Sequence, residues 1–545
     1  MSRRTSAPAI GRRGLLAALT GGAALAANPA LAAKPAFSPV QASKPVPGSA
    51  ETLDRIVEDF MQGFEIPGVG VAIVRPDTPP LIRGYGVRAL GQSPRVGPHT
   101  QFAIASNSKA FLSACLAILV DEGKLGWDDP VVDHLPEFEM HDPAITVMMT
   151  VRDLLVHRSG LPLGAGDLLI FPKTDREADD VLRALKHFRP ATGFRAGYAY
   201  DNSLYIVAGL LLQRVSGLGW DAFVQQRIFT PLGMRDAVSN PTLVRGADHA
   251  GRHARLGPPT RGIGELVVVP ANEGAVIGPA GGVNASLTDI VPWLTVQLSG
   301  GALPNGSRLW SAEQSVEMWK PQTIIGSGPG PTAAAPQRSV MSGYALGWGV
   351  ADYRGRRMLS HSGGLAGQIT RTTLLPDQGI GFVVFTNTED SDPVSGLRYA
   401  IMDHLLEAPD FDWLGHTRRA IDETVGQVSA LLGSGDFPTP PGEPSLPLDR
   451  YAGLYRDPWY GDVRIARSGA GLTIDFLPTP AFKSVLEPFG VDAFRTRFPR
   501  GAGEDAVVSF ATEQGAVTGV TMKALSPIAD FSFDFHDLAF RPVQT

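Results

Sequence analysis

Apolar and polar positions change rhythm several times along the 545-residue chain. From Glu51 to about Phe64 apolar residues recur at helical spacing and predict an amphipathic helix. "GVGVAIVRP" and "PLIRGYGVRAL" then predict two paired strands. The apolar run "FAIASNSKAFLSACLAILVDEGKL" predicts a buried helix opening near Ser106 and stopping at Gly123. A mostly helical stretch runs from about 128 to 320. After it, "LGWGVADY", "RRMLSHSGG", "ITRTTLLP" and "GIGFVVFTN" alternate as strands. Strands, a helical insertion and strands that rejoin them make a split α/β arrangement.

A Pro/Gly/Ser-rich linker is expected at 433–447. Beyond it, residues 448–545 read as short alternating strands with Gly turns, a small antiparallel sheet or barrel. Its aromatics Trp459, Tyr460, Phe531, Phe533 and Phe535 read as core. It carries no nucleophile, metal or carboxylate constellation of its own. The opposite end of the chain reads as targeting. Arg12-Arg13 precedes "GLLAALTGGAALA", and "ALAA" supplies small residues for cleavage. Residues 1–32 therefore read as a bacterial export signal, twin-arginine-like or general secretory, delivering the protein to the periplasm or beyond. Residues 33–50 read as a flexible leader and 51–432 as the main domain.

Composition narrows the partners. The formal net charge is −6, without a basic block, which argues against nucleic acid. No stretch of the mature chain is apolar for long enough to span a bilayer. The single cysteine, Cys115, excludes an internal disulfide and reads as a small buried hydrophobe. Oligomeric state is not legible.

Candidate chemistry lies in three places. Ser106 and Lys109 are three apart, about one helical turn, so they share a face. A lysine held in a partly desolvated site can take a serine proton, and a free N–H at the start of a helix suits an oxyanion. Tyr200-Asp201-Asn202 stands where a loop gives way to another apolar helix. His361-Ser362-Gly363-Gly364 lies on an expected strand. His249 and His253 are four apart and could share a helix face, but no glutamate follows His249, and no metal or other cofactor is assigned.

S-x-x-K, then Y-x-N, then a basic residue-x-Gly, in that order, resemble the three boxes of the penicillin-recognising serine hydrolases. "TVRDLLVHRSGLP", "PAGGVNASLTDIVPWL", "GYALGWGV" and "LLPDQGIGFVVFTN" resemble the same family, over about residues 50–410. The subgroup contains class C β-lactamases, D-Ala-D-Ala carboxypeptidases, D-aminopeptidases and β-lactamase-fold esterases. The resemblance implies an antiparallel sheet flanked by helices, a helical subdomain and a site at their junction. The barrel-like end resembles the C-terminal domain appended to many of these hydrolases. By match, Ser106 is the nucleophile, with Lys109 and Tyr200 as a coupled proton relay whose base is left open. Asn202 would hold Lys109 and a substrate carbonyl, and the N–H groups of Ser106 and Gly364 would form the oxyanion hole. Gly363 and Gly364 would let substrate backbone lie close to the strand.

His361 stands where β-lactamases carry a lysine. A histidine, with a pKa near 6.5, is mostly neutral at pH 7, so the clamp for a substrate carboxylate is weakened. This favours a peptidase or amidase acting on small or unusual peptides, the most specific candidate being a linearised-microcystin peptidase. An esterase, a β-lactamase and a non-catalytic penicillin-binding or sensing protein follow in that order. His157 resembles a position that shapes the site floor. Two loops, 161–180 and 322–343, are expected beside the cleft.

Overall fold

The computed structural model describes residues 50–258, 260–432 and 437–544. The export signal and nearly all of the leader lie outside the described residues, as do the first four residues of the expected linker. Among the described residues, no helix is long and apolar enough to cross a membrane.

The main domain is an eight-stranded antiparallel sheet whose N-terminal strands join strands from beyond residue 320. Its order is Thr78–Gly86, Gly68–Arg75, Ile380–Thr386, Gln368–Leu375, Arg356–Leu365, Gly349–Tyr353, Met341–Tyr344 and Thr323–Ser327. The neighbouring strands Gly68–Arg75 and Ile380–Thr386 are apolar along almost their whole length because both faces are covered. Val69, Val71, Phe382 and Val384 meet a layer from the helices Ala50–Phe64, Ser391–Leu406 and Trp413–Leu432. Ala72, Val383 and Phe385 turn to the opposite core, which holds the helices Ser108–Asp121, Ser203–Ser216 and Leu287–Leu298. A one-residue slip in register would exchange the two sets of side chains.

The α/β expectation is met, with two local corrections. The region 128–320 contains a hairpin, His253–Leu256 with Arg261–Val268, so His249 and His253 share no helix face. His253 donates from Nδ1 to the Asn387 carbonyl at 2.5 Å and accepts the Leu90 N–H at Nε2 at 3.0 Å, so both nitrogens are used. The expected loop 322–343 begins in the edge strand and ends in the strand next to it, both hidden in the sequence by Gly, Pro and Ala. In its middle Ser339 donates to the Asp352 carbonyl and Gln337 meets His416.

The C-terminal strands close into an eight-stranded barrel, which leaves no unpaired edge. Tyr460 and Phe535 fill its core, as expected, while Phe531 is 39% exposed and belongs to the surface. The barrel packs onto the main domain. Trp459 meets Phe188 edge-on at 5.2 Å, Arg176 donates to the Tyr460 carbonyl, and Thr260 Oγ1 donates to Ser526 Oγ at 2.8 Å.

Gly363 shows how the sheet seats the site. A Cβ there would overlap the Ile104 carbonyl and Thr370 Oγ1, so only glycine lets the turn before Ser106 lie on the strand. Gly363→Ala is expected to cost about 1–3 kcal/mol through overpacking at this contact. A thermal melt superimposable on that of the parent would show that the turn can retreat at no cost.

Candidate active site

Ser106 sits in a 3₁₀ turn, Ala105–Asn107, and the α-helix proper begins at Ser108. Ala105 is held at φ +50°, a conformation that costs a residue bearing a Cβ about 1–3 kcal/mol. The surroundings enforce it. Asn107 Nδ2 donates to the Ile104 carbonyl and to Thr370 Oγ1, each at 2.9 Å. Ser108 Oγ donates to the Ala105 carbonyl at 2.6 Å and accepts the Val283 N–H at 2.9 Å. The turn is tied to the sheet on one side and to the 279–285 segment on the other, leaving Ser106 partly exposed.

Lys109 is fully buried. Its Nζ donates to Asn202 Oδ1 at 2.6 Å, to the Ala280 carbonyl at 2.8 Å and to Ser106 Oγ at 3.3 Å. The ammonium also lies 4.8 and 4.9 Å from the ring centroids of Tyr200 and Tyr205. Loss of hydration lowers its pKa to about 7, against the opposing pull of Asp167 and Asp201. The carbonyl it uses is available because Gly209 has no side chain: a Cβ there would strike Pro279.

Tyr200 and Asn202 arrive together at the start of the helix Ser203–Ser216. Asp201 Oδ1 caps that helix, accepting the Leu204 N–H at 3.0 Å. The Asn202 side chain is thereby free to face Lys109 with its oxygen and Asp167 with its nitrogen, at 3.0 and 3.1 Å from the two carboxylate oxygens. Burial pushes the Asp167 carboxyl up to about 7. Burial also drives the Tyr200 phenol well above 10, partly offset by its hydrogen bond with the Ser106 hydroxyl. Tyr205 donates its hydroxyl to the Leu155 carbonyl at 2.6 Å, a satisfied core tyrosine.

His361 is buried, and both its nitrogens are engaged. Nδ1 lies 2.7 Å from the Ser362 carbonyl and donates to it, so Nε2 accepts from Tyr344 Oη at 2.7 Å. Burial, and then the Lys109 charge, lower its pKa to about 3, so it is neutral throughout the physiological range. His157, also buried, has its ring 4.2 Å from that of Tyr200 and accepts the Asp201 N–H at 3.2 Å. Burial depresses its pKa too. Gly363 and Gly364 lie past Ser360, where pairing with the strand Gly349–Tyr353 ends. On that edge, among the described residues, no strand covers them.

The structure thus gathers Ser106, Lys109, Tyr200, Asn202 and His361 into one cluster, with Gly363 against the turn that carries Ser106. Cys115 is buried, and burial raises its thiol pKa. Sequence reasoning missed Asp167, Tyr344, the Ala280 carbonyl and the barrel residues Phe531, Ser532 and Asp534. Asp167 had one visible signal, a lone carboxylate in the otherwise apolar "GAGDLLIF". Its loop, expected at the cleft, is a buried floor over 164–170.

Comparison with known proteins places this architecture. The β-lactamase family model matches residues 53–406, and a domain of unknown function matches 438–542. The unguisins hydrolase ungD of Aspergillus violaceofuscus is 28% identical over 450 residues, covering 76% of each chain. Protein flp of Staphylococcus aureus is 26% identical over 62% of this chain and 63% of its own. The fold is shared with the octameric penicillin-binding protein homologue of Pyrococcus abyssi, at a TM-score of 0.56 and 18% identity over 90% of this chain and 99% of that one. It is also shared with the D-amino acid amidase of Ochrobactrum anthropi, at a TM-score of 0.52 and 20% identity over 65% of this chain and 97% of that one. With the family model spanning well over half its length, the chain belongs to the β-lactamase family.

Proposed function

We propose that the protein is a serine hydrolase that cleaves amide bonds in small or modified peptides through an acyl-enzyme on Ser106, after export from the cytoplasm. The observation that carries this reading is the buried Lys109 Nζ, 3.3 Å from Ser106 Oγ and lowered to about 7. A lysine with this pKa is a competent base at neutral pH, whereas a phenol raised well above 10 is not. Lys109 therefore takes the Ser106 proton as Oγ bonds to the substrate carbonyl carbon. The tetrahedral intermediate collapses with cleavage of the C–N bond. Tyr200 delivers its proton to the departing nitrogen and is resupplied from the Lys109 ammonium. Water then opens the ester by the reverse relay, releasing the acid and restoring the Ser106 hydroxyl. The N–H groups of Ser106 and Gly364 receive the oxyanion. The hydrolase named among the relatives and the amidase among the fold neighbours agree with amide cleavage.

The direct test is a panel of amino-acid amides and anilides of both configurations, short peptides, p-nitrophenyl esters and a chromogenic cephalosporin. Amides are expected to be turned over. Ser106→Ala should abolish this by on the order of 10⁶-fold in kcat with an unchanged melting profile. Turnover confined to esters, or to the cephalosporin, would replace the amidase reading.

The pH dependence has a fixed sign. Below about pH 7 Lys109 holds its proton and cannot accept another, so kcat/KM should fall as pH drops through that value. The negative charge of Asp167 raises the Lys109 pKa, so Asp167→Asn should move this limb to lower pH. The observed value belongs to the coupled network rather than to one residue. A limb displaced to higher pH would count against Lys109 as the base.

His361→Lys tests the empty cation position. A lysine there would lose the hydrogen bond from Tyr344 and set a second ammonium near Lys109. On neutral amides kcat/KM should drop by about tenfold or more through desolvation and repulsion. Faster hydrolysis of carboxylate-bearing substrates by this variant than by the parent would reverse the assignment of the subsite.

A further inference from the structure

The barrel reaches the Ser106 cleft through one segment, 526–534. Asp534 is buried, and its carboxylate accepts the N–H of Gly166 at 3.0 Å and of Leu168 at 3.3 Å. The Ser532 hydroxyl hydrogen-bonds Asp167, the carboxylate beside Asn202. Between this anchorage and the barrel core, Phe531 is laid against the main domain. Its ring meets that of Tyr200 edge-on, with centroids 5.9 Å apart and planes at 79°. Gly164, which donates its N–H to the Tyr200 carbonyl at 2.8 Å, lies beneath it. A Cβ on Gly164 would come within 2.8 Å of the Phe531 carbonyl oxygen and 2.9 Å of its ring. A large apolar side chain, 39% exposed, is thus fixed beside the tyrosine of the relay by residues from both domains.

We propose that Phe531 is a substrate-specificity residue, its ring forming the apolar wall that receives an aromatic or large aliphatic side chain next to the scissile bond. The substrate class rests on the amide-hydrolase reading; the placement of the wall rests on geometry alone. Single exposed apolar residues are ordinary on protein surfaces. This one is distinguished by its contact with Tyr200 and by the two-sided anchorage of its segment. An edge-on aromatic surface with solvent beside it favours a second ring or a bulky alkyl group over a methyl group, through area removed from water and ring–ring contact. The C-terminal domain then supplies a wall of the cleft as well as a packing partner for the main domain.

The test uses two aryl phosphonate probes that label Ser106 and differ only in carrying a methyl or a benzyl side chain. Their labelling rates are compared in the full-length protein, in Phe531→Ala and in Phe531→Leu, with Ser106→Ala as the blank. The parent is expected to prefer the benzyl probe. Phe531→Ala should lower the benzyl-to-methyl ratio by about tenfold, as expected for loss of a favourable aromatic contact, and Phe531→Leu should restore part of it. A ratio unchanged within about twofold in both variants would overturn the wall while leaving the amidase reading intact. Labelling with the expected ratios but no amide turnover would uphold the wall and overturn that reading. No labelling of the parent would overturn both. If Phe531→Ala does not fold, Phe531→Leu against the parent carries the same comparison.

Discussion

An ammonium placed where water cannot reach must find acceptors or give up its proton. Lys109 does some of each, and the surrounding structure is arranged around that balance. Three oxygens, from Asn202, Ala280 and Ser106, replace its hydration shell. Each comes from a different stretch of chain, so the helices Ser108–Asp121 and Ser203–Ser216 and the 279–282 turn must all be in place at once. Glycines make the approach possible. Gly347 lies so close to this helix that a Cβ would come within 2.8 Å of the Lys109 carbonyl. The sheet holds the turn that carries Ser106 through Gly363, Asn107 and Thr370. In this sense the buried cation organises the meeting of sheet and helical region, whatever chemistry it also serves on the proposed reading.

What was legible in the sequence follows the range of the interactions. Ser106 and Lys109 lie within one helical turn, and Tyr200 and Asn202 within one helix start, so local spacing carried the chemistry. Apolar runs and alternation carried the helices and central strands. The hairpin of His253–Leu256 and Arg261–Val268 was lost inside a stretch dominated by helices, because its turn residues resemble a loop. The edge strand Thr323–Ser327 and its neighbour Met341–Tyr344 were masked by small residues for a related reason: the margin of a sheet needs less apolar surface. Asp167 reaches Asn202 across 35 residues, and Asp534 reaches Gly166 across 368. No periodicity reports contacts of that span. The barrel was recognisable as a domain, but its contribution to the cleft emerges only from docking.

The barrel also changes the electrostatics of the floor. Asp534 and Asp167 are both buried, and each raises the cost of charge on its surroundings. Backbone N–H groups of Gly166 and Leu168 hold Asp534, while Asn202 and Ser532 hold Asp167. Two carboxyls in such a setting are not both ionised without penalty, and the charge of Asp167 raises the Asp534 carboxyl further. The charge felt by Lys109 through Asn202 is then set partly by a residue of the second domain.

This bears on the neutral histidine at position 361. A second ammonium next to Lys109 would be repelled by it and would have to be desolvated, whereas the neutral imidazole takes the Tyr344 hydroxyl proton at Nε2 without adding charge. With Nδ1 directed to the Ser362 carbonyl, the ring is fixed in one tautomer and kept neutral by burial and by the Lys109 charge. His157 is neutral for the same reason of burial. Two imidazoles in contact with the tyrosine cluster therefore add shape and hydrogen bonds but no charge. On the amidase reading, the proton that matters in the cleft is the one exchanged among Ser106, Lys109 and Tyr200. A substrate with a free carboxylate at the His361 subsite would meet no cation there, whereas one presenting neutral backbone to the strand at Gly363 and Gly364 would lose nothing. On that reading, a neutral histidine at 361 and a preference for neutral amides both follow from where the site keeps its positive charge, on Lys109.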